Sequence, residues 1–172
     1  MDKKQCILNC AQIQTPKDLS TLGFTVIKTD KQFQEAYAMH DVATAYVVQQ
    51  YLRNKYSIHP IGVDLRKHKV IIKDELPDYF VKKDGDILCF DAKAKSSVKY
   101  FGWVNERAVT SYRKLVKACN VPVYLIFVQV AGENVTGEAG CCNVEDEPID
   151  KRQAWNGNVV WIFRWEKGLP RI

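Results

Sequence analysis

The chain has 172 residues, 47% of them hydrophobic and 26% charged. That composition suits a single folded domain and excludes a disordered or low-complexity polymer. A formal net charge of +5 is compatible with a polyanionic partner but does not identify one. The first residues, MDKKQCILNCAQIQ, lack the apolar stretch of a secretory signal. No window reaches the ~18 apolar residues of a membrane span. The sequence therefore reads as an intracellular, cytoplasmic protein with no membrane partner.

In chain order, residues 1–23 resist assignment, although Thr15, Pro16, Lys17 and Asp18 can open a short helix. FTVI at 24–27 reads as a strand, and Asp30 as the N-cap of a long helix over roughly 31–55. IGVD at 61–64 and KVIIK at 69–73 read as short strands. Then comes PDYFVKKDGDILCFDAK, residues 77–93. Two runs of strand-forming residues flank Asp84-Gly85, and Asp-Gly supplies the two positive φ angles of a type I′ turn. That turn sets Lys83 opposite Asp86, Val81 opposite Leu88 and Asp78 opposite Asp91. Alternation then puts Asp78, Asp91 and Lys93 on one face.

SSVKYFGWV at 96–104 reads as an irregular link. Residues 105–119 read as a helix with Ala108, Tyr112, Leu115, Val116 and Cys119 on its apolar face. VPVYLIFVQV at 121–130 suits a strand buried on both faces. Residues 131–157 are polar, Gly-rich and acidic and read as a long loop; NVVWIFRW at 158–165 is a final strand. The sum is an α/β fold, a central mixed β-sheet flanked by helices, as one domain spanning 1–172.

Two aspartates facing each other across a hairpin repel, with Cβ atoms ~5 Å apart. Either one keeps a proton, or a divalent cation removes the conflict. Mg²⁺ accepts one or two carboxylates and fills its shell with water and substrate phosphate, and Mn²⁺ is its usual substitute. Lys93, one pleat on, is placed to orient a water or to offset negative charge at a reacting phosphate.

Pro77-Asp78, twelve intervening residues, then Asp91-Ala92-Lys93 resembles the PD-(D/E)XK nuclease superfamily, which includes restriction endonucleases and archaeal Holliday-junction resolvases. The element order from about 31 to 130 is similar too: a helix before the hairpin, then a helix and an apolar strand. The resemblance implies a restriction-endonuclease-like core and a Mg²⁺-dependent endonuclease acting on DNA. It implies Asp78 and Asp91 as metal ligands, Lys93 as the catalytic lysine, and an acid from the preceding helix. Asp41 falls on the stripe carrying Tyr37, Ala45, Val48 and Leu52 and is preferred over Glu35; Glu75 is a third choice. A homodimer fits the many relatives that cut two strands. The competing reading is a nuclease-like module that has lost catalysis and binds nucleic acid or a protein partner.

Lys95, Lys99, Arg107, Lys114 and Lys117 are candidate phosphate contacts, although such residues often form only a solvated face. Trp103 can stack on a base or cap the core. His40, His59 and His68 show no metal spacing; His40 adjoins Asp41 and could reach the site, but an ordinary helix histidine is the preferred reading. Among six cysteines, Cys89 and Cys119 read as core residues. Cys6, Cys10, Cys141 and Cys142 can in principle converge on zinc or an iron–sulfur cluster, but reduced thiols are the preferred reading.

Overall fold

The structure, a computed structural model, describes Lys3, Cys6 and residues 31–61, 74–96, 101–154 and 157–171. Helix α1 (Lys31–Arg53) leads into β1 (Ser57–Pro60), β2 (Tyr79–Lys83) and β3 (Asp86–Lys95). Strand β4 (Phe101–Asn105) and helix α2 (Glu106–Cys119) follow, then β5 (Val123–Ala131), β6 (Asn134–Asn143), β7 (Asp150–Gln153), β8 (Val159–Arg164) and β9 (Glu166–Lys167). The main sheet runs β1-β2-β3-β5-β6-β9, and a smaller one runs β4-β8-β7. Among the described strands of the main sheet, β3 and β5 pair in parallel and the other pairs are antiparallel. This is the expected α/β architecture with a mixed sheet.

The hairpin has the expected register, with Lys83 opposite Asp86 and Val81 opposite Leu88. Asp84 and Gly85 take φ of 51° and 98°. The ladder closes at Tyr79 and Phe90, so Asp78 stands one step beyond the last pair.

The main sheet is covered on both faces. Leu88, Phe90, Ala92, Ile126 and Val128 pack with Ala43, Val47 and Tyr51 of α1. Ile87, Cys89, Leu125 and Phe127 pack with Val109, Tyr112, Leu115 and the aromatic residues of β8. Alternation along β3 therefore sends even-numbered side chains toward α1 and odd-numbered ones, Asp91 and Lys93 included, toward α2.

Helix α1 is rotated from the expected stripe. Ala43, Val47 and Tyr51 are buried, whereas Asp41 and Ala45 are exposed and Leu52 is 56% exposed. The helix is apolar on several sides, so its pattern alone does not choose a face. Tyr51 decides it: its ring stacks on Phe90 at 5.4 Å and its hydroxyl donates to the Pro170 carbonyl at 3.1 Å. The helix ends with Lys55 at φ 63° and two bonds that close its last turn, Tyr56 N–H to Tyr51 O and Lys55 N–H to Leu52 O.

Two segments expected to be irregular are strands. Residues 101–105 form β4, whose Gly102 and Val104 point inward while Phe101, Trp103 and Asn105 point out. The expected loop at 131–157 contains β6 and β7. Its glycines misled the reading, because Gly140 is a packing residue: a Cβ there would collide with the Trp165 ring. The elements expected at 15–18, 24–27 and 69–73 lie outside the described residues, as does all but Ile61 of 61–64. No described helix is long and apolar enough to cross a membrane.

The cysteine reading is corrected at one pair. Cys6 and Cys119 form a disulfide with their Cα atoms 5.7 Å apart, while Cys141 and Cys142 carry free thiols. The burial that made Cys119 look like a plain core residue also brings it against Cys6, and both are nearly inaccessible.

Two tests follow from this packing. Gly102 in β4 sits against the Phe127 ring of β5, so any Cβ overlaps that ring. Gly102→Ala should destabilise the protein by about 1–3 kcal/mol, read as a lower midpoint in chemical denaturation. An unchanged midpoint would show that the two sheets are not locked there. The disulfide spans a sequence separation of 113, so its reduction should remove up to about 4–5 kcal/mol by the chain-entropy relation. Proteolytic mapping without reductant should recover the Cys6 and Cys119 peptides joined.

Candidate active site

Asp91 lies on β3 among apolar neighbours and is only 1% exposed. An isolated carboxylate there would be costly. Two donors meet it. The Tyr112 hydroxyl donates to Asp91 Oδ2 at 2.6 Å, and Lys93 Nζ is 2.7 Å from the same oxygen. Tyr112 comes from the buried face of α2, and Lys93 from two residues along the same strand. The lysine side chain remains 29% exposed, so its ammonium bridges the buried carboxylate and the surface.

Asp78 completes the group. Its Oδ2 accepts the backbone N–H of Ala92 at 3.0 Å, which fixes the carboxyl just past the end of the β2–β3 ladder. The two acids polarise each other in opposite directions. Burial, then the charge on Asp91, pushes the Asp78 carboxyl well above the usual range. Burial also works to raise Asp91, but the Lys93 charge and hydrogen bonds from Lys93, Tyr112 and Asp78 win and hold it low. Two such groups in one site titrate as a coupled pair, in which Asp78 is the member that holds a proton more readily. Burial disfavours the Lys93 ammonium, yet Asp91 and Asp78 outweigh it and raise its pKa.

From the other side of the sheet, α1 contributes His40. Its Nδ1 is 3.1 Å from the Ala92 carbonyl, and its Nε2 is 3.9 Å from Asp78 Oδ2. Burial lowers the imidazole pKa, a shift that Asp91 opposes. The Thr44 hydroxyl stands 3.5 Å from Nε2.

The expected residues distribute as follows. Asp78, Asp91 and Lys93 are brought together. Asp41 is exposed on α1, although its charge is felt by His40 and Tyr79. Glu35 belongs to α1, and its side chain lies outside the described residues. Glu75 is near enough to contribute to the raised Lys93 pKa, and its Oε1 takes Arg107 Nε at 2.6 Å. Lys114 pairs with Asp74 at 2.6 Å. Lys117 is exposed on α2, and Lys99 lies outside the described residues. Lys95 donates to the Trp103 carbonyl at 2.9 Å; burial, then the neighbouring Lys93 charge, lowers it to about 8. Of the four cysteines considered for a cluster, Cys6 is committed to Cys119. Cys141 and Cys142 alternate to opposite faces of β6 and join different sides of the core, and Cys10 lies outside the described residues.

Sequence reasoning missed two members. Tyr112 was legible as a core residue but not as a donor, because its partner is distant in sequence. His40 adjoins Asp41 and is within reach of the site, but its spacing reads as that of an ordinary helix histidine. The available signal was its place on the stripe His40–Ala43–Val47–Tyr51, which the competing stripe through Asp41 concealed. Among the described residues, no three His, Cys, Asp or Glu side chains are gathered tightly enough to enclose an ion as they stand.

No protein-family model matches the sequence, and no curated protein matches it. Among solved structures, the chain is similar to a Holliday junction resolvase from the archaeal hyperthermophile Archaeoglobus fulgidus. The likeness covers 69% of this chain and 84% of that one, at 7% identity and a TM-score of 0.49. The chemistry of the site rests on its own geometry.

A pH test isolates the raised Asp78 carboxyl. Because the Asp78 pKa is raised on folding, its ionisation weakens the fold as pH rises from the unfolded carboxylate range through the folded pKa. Asp78→Asn removes that ionisation and can keep an acceptor for Ala92 N–H. Without added metal it should raise Tm by roughly 2–4 °C per kcal/mol gained. The gain should appear at neutral pH and vanish below about pH 4, where the wild-type carboxyl is protonated in both states. A gain independent of pH would refute the raised Asp78 pKa.

Proposed function

We propose that the chain is a metal-dependent endonuclease that hydrolyses phosphodiester bonds of DNA at a PD-(D/E)XK site formed by Asp78, Asp91 and Lys93. The observation that carries the reading is the Asp91 carboxylate, buried in the core yet tied to Lys93, which reaches the surface, with Asp78 held beside it by the Ala92 N–H. A hairpin needing only stability would do as well with apolar residues there. The arrangement costs folding energy and concentrates charge where a substrate phosphate can reach the lysine.

The donor set fits a hard divalent cation. Asp78 and Asp91 offer carboxylate oxygens, and two acids at one site call for positive charge between them. These two residues would hold Mg²⁺, or Mn²⁺ in its stead. The ion, when bound, supplies Lewis acidity toward the phosphoryl oxygens. Lys93 donates hydrogen bonds and positive charge to the reacting phosphate and orients the attacking water. Tyr112 holds the Asp91 carboxylate in one orientation, and Ala92 N–H does the same for Asp78.

Around this centre, Lys95, Lys99, Arg107, Lys114 and Lys117 are the cations proposed to meet the DNA backbone. Arg107 and Lys114 now pair with Glu75 and Asp74 at the surface. Such exposed pairs are worth little and exchange readily for phosphate. Trp103 is 52% exposed, and Lys95 binds its carbonyl, so an aromatic face for a base lies beside a cation for its phosphate. A homodimer would supply the second centre needed to cut both strands of a duplex. A second reading, a module of this fold that binds nucleic acid without cutting it, draws on the fact that Lys93 and Tyr112 already satisfy Asp91 within the protein.

The test is cleavage of supercoiled plasmid, single-stranded circles and a four-way junction with Mg²⁺ and Mn²⁺ separately. Lys93→Ala should retain metal binding and lose roughly 100-fold or more in rate, whereas Asp91→Ala should lose both. Metal binding unchanged in Asp91→Ala would sink the assignment. Salt-sensitive DNA binding without metal-dependent cutting would favour the binding module.

A further inference from the structure

We propose that the outer face of the small sheet, where β4 carries Phe101 and Trp103, is a platform for unpaired bases, so that the substrate is DNA with a single-stranded segment beside the scissile phosphate. The inference deepens the reading of the chain as a nuclease and rests on it.

Three observations converge. The first is the placing of the rings. Gly102 and Val104 turn into the molecule, so Phe101 and Trp103 share the opposite face of β4. They are 40% and 52% exposed, although a fold gains most by covering large aromatic side chains. Two positions apart on a strand puts their Cα atoms roughly 6–7 Å apart, about twice the ~3.4 Å rise of a stacked strand in a duplex. Bases paired and stacked in a duplex offer such rings no free face, whereas bases splayed from a single strand do.

The second is the surrounding surface. Directly paired residues of an antiparallel ladder share a face. Phe101 pairs with Arg164 and Trp103 with Ile162, and Val160 pairs with Arg152 on the far strand. Arg164 is exposed beside the rings, and Arg152 forms an ion pair with Asp150. Ile162 and Val160 lie between them, nearly inaccessible, as an apolar floor. Rings on an apolar floor with arginine on two sides suit a ligand of flat apolar faces on a phosphate backbone. An isologous contact with a second copy would instead set this net positive patch against itself.

The third is continuity with the candidate active site. Lys93 pairs with Phe127 across the β3–β5 ladder. Gly102, the residue between the two rings, rests on that Phe127 side chain, where any Cβ would overlap it. Lys95, the next residue on Lys93's face of β3, donates to the Trp103 carbonyl at 2.9 Å. The platform is therefore pinned at two points to neighbours of the lysine proposed to meet the reacting phosphate. A strand whose bases stack there leads its backbone to Lys93 within a few nucleotides.

The experiment is fluorescence anisotropy of labelled oligonucleotides with the full chain, without divalent metal so that nothing is cut. The probes are a single strand, its blunt duplex and an abasic strand of equal length. The proteins are wild type, Trp103→Ala and Trp103→Phe. The wild type should bind the single strand about tenfold or more tighter than either other probe. Trp103→Ala should lose about tenfold on the single strand with duplex binding unchanged, and Trp103→Phe should recover it. The abasic strand keeps the phosphates and lacks the bases, and it is compared on wild-type protein, so a folding defect cannot imitate the result. Equal affinity for the three probes, or single-strand binding unchanged in Trp103→Ala, overturns the platform while leaving any metal-dependent cutting lost in Lys93→Ala intact. A dimer in sedimentation that Trp103→Ala dissociates, with no preference among probes, overturns it in favour of a second copy on this face. Selective single-strand binding without metal-dependent cutting upholds the platform and overturns the nuclease reading instead.

Discussion

The cost of burying one carboxylate organises this protein. Asp91 stands on a strand whose neighbours are core residues, and its charge is tolerable only because Lys93 and Tyr112 converge on one of its oxygens. Each partner constrains an element. Lys93 requires β3 to run on past the core so that its ammonium can sit at the rim. Tyr112 requires α2 to lie across β3 and β5 with that turn of helix above residue 91. The parallel β3–β5 pair, reached through β4 and α2, provides both. Taking away either donor would leave an uncompensated buried charge, a larger defect than the loss of one hydrogen bond.

The second organising element is the Ala92 peptide. Its side chain faces α1 and is fully buried, and its polar groups point along the sheet to Asp78 and His40. Alternation along β3 thus divides labour between adjacent residues. Residues 91 and 93 present charge on one face, and residue 92 presents hydrogen bonds that gather groups from β2 and α1. The acids' opposite pKa shifts are a product of this crowding.

Much of this was readable from the sequence. Asp84-Gly85 fixed the hairpin register through turn chemistry alone, and period-two alternation then placed Asp91 and Lys93 on a common face. The apolar face of α2 was legible because its polar and apolar sides separate cleanly. The face of α1 was not, because Tyr46, Val47, Val48 and Tyr51 clothe it on several sides. The stacking of Tyr51 on Phe90, a tertiary contact, made the choice. The same ambiguity put Asp41 on the expected stripe, whereas the structure leaves it exposed. Strand β6 was hidden for a different reason. Glycine signals a turn when read locally, but Gly140 is small to admit Trp165, a partner 25 residues later in the sequence. The disulfide was likewise illegible, because a pair this far apart in sequence meets only in the folded chain.

That crosslink has a topological consequence. It closes the stretch between Cys6 and Cys119, which includes α1, the hairpin and α2, into a covalent ring. A single break of the backbone anywhere within the ring opens it without shedding a fragment. The two pieces stay joined through sulfur, and the hairpin acids, the helix histidine and the supporting tyrosine still belong to one molecule. Under oxidising conditions, continuity of the main chain through this region is not what keeps the candidate site's parts together.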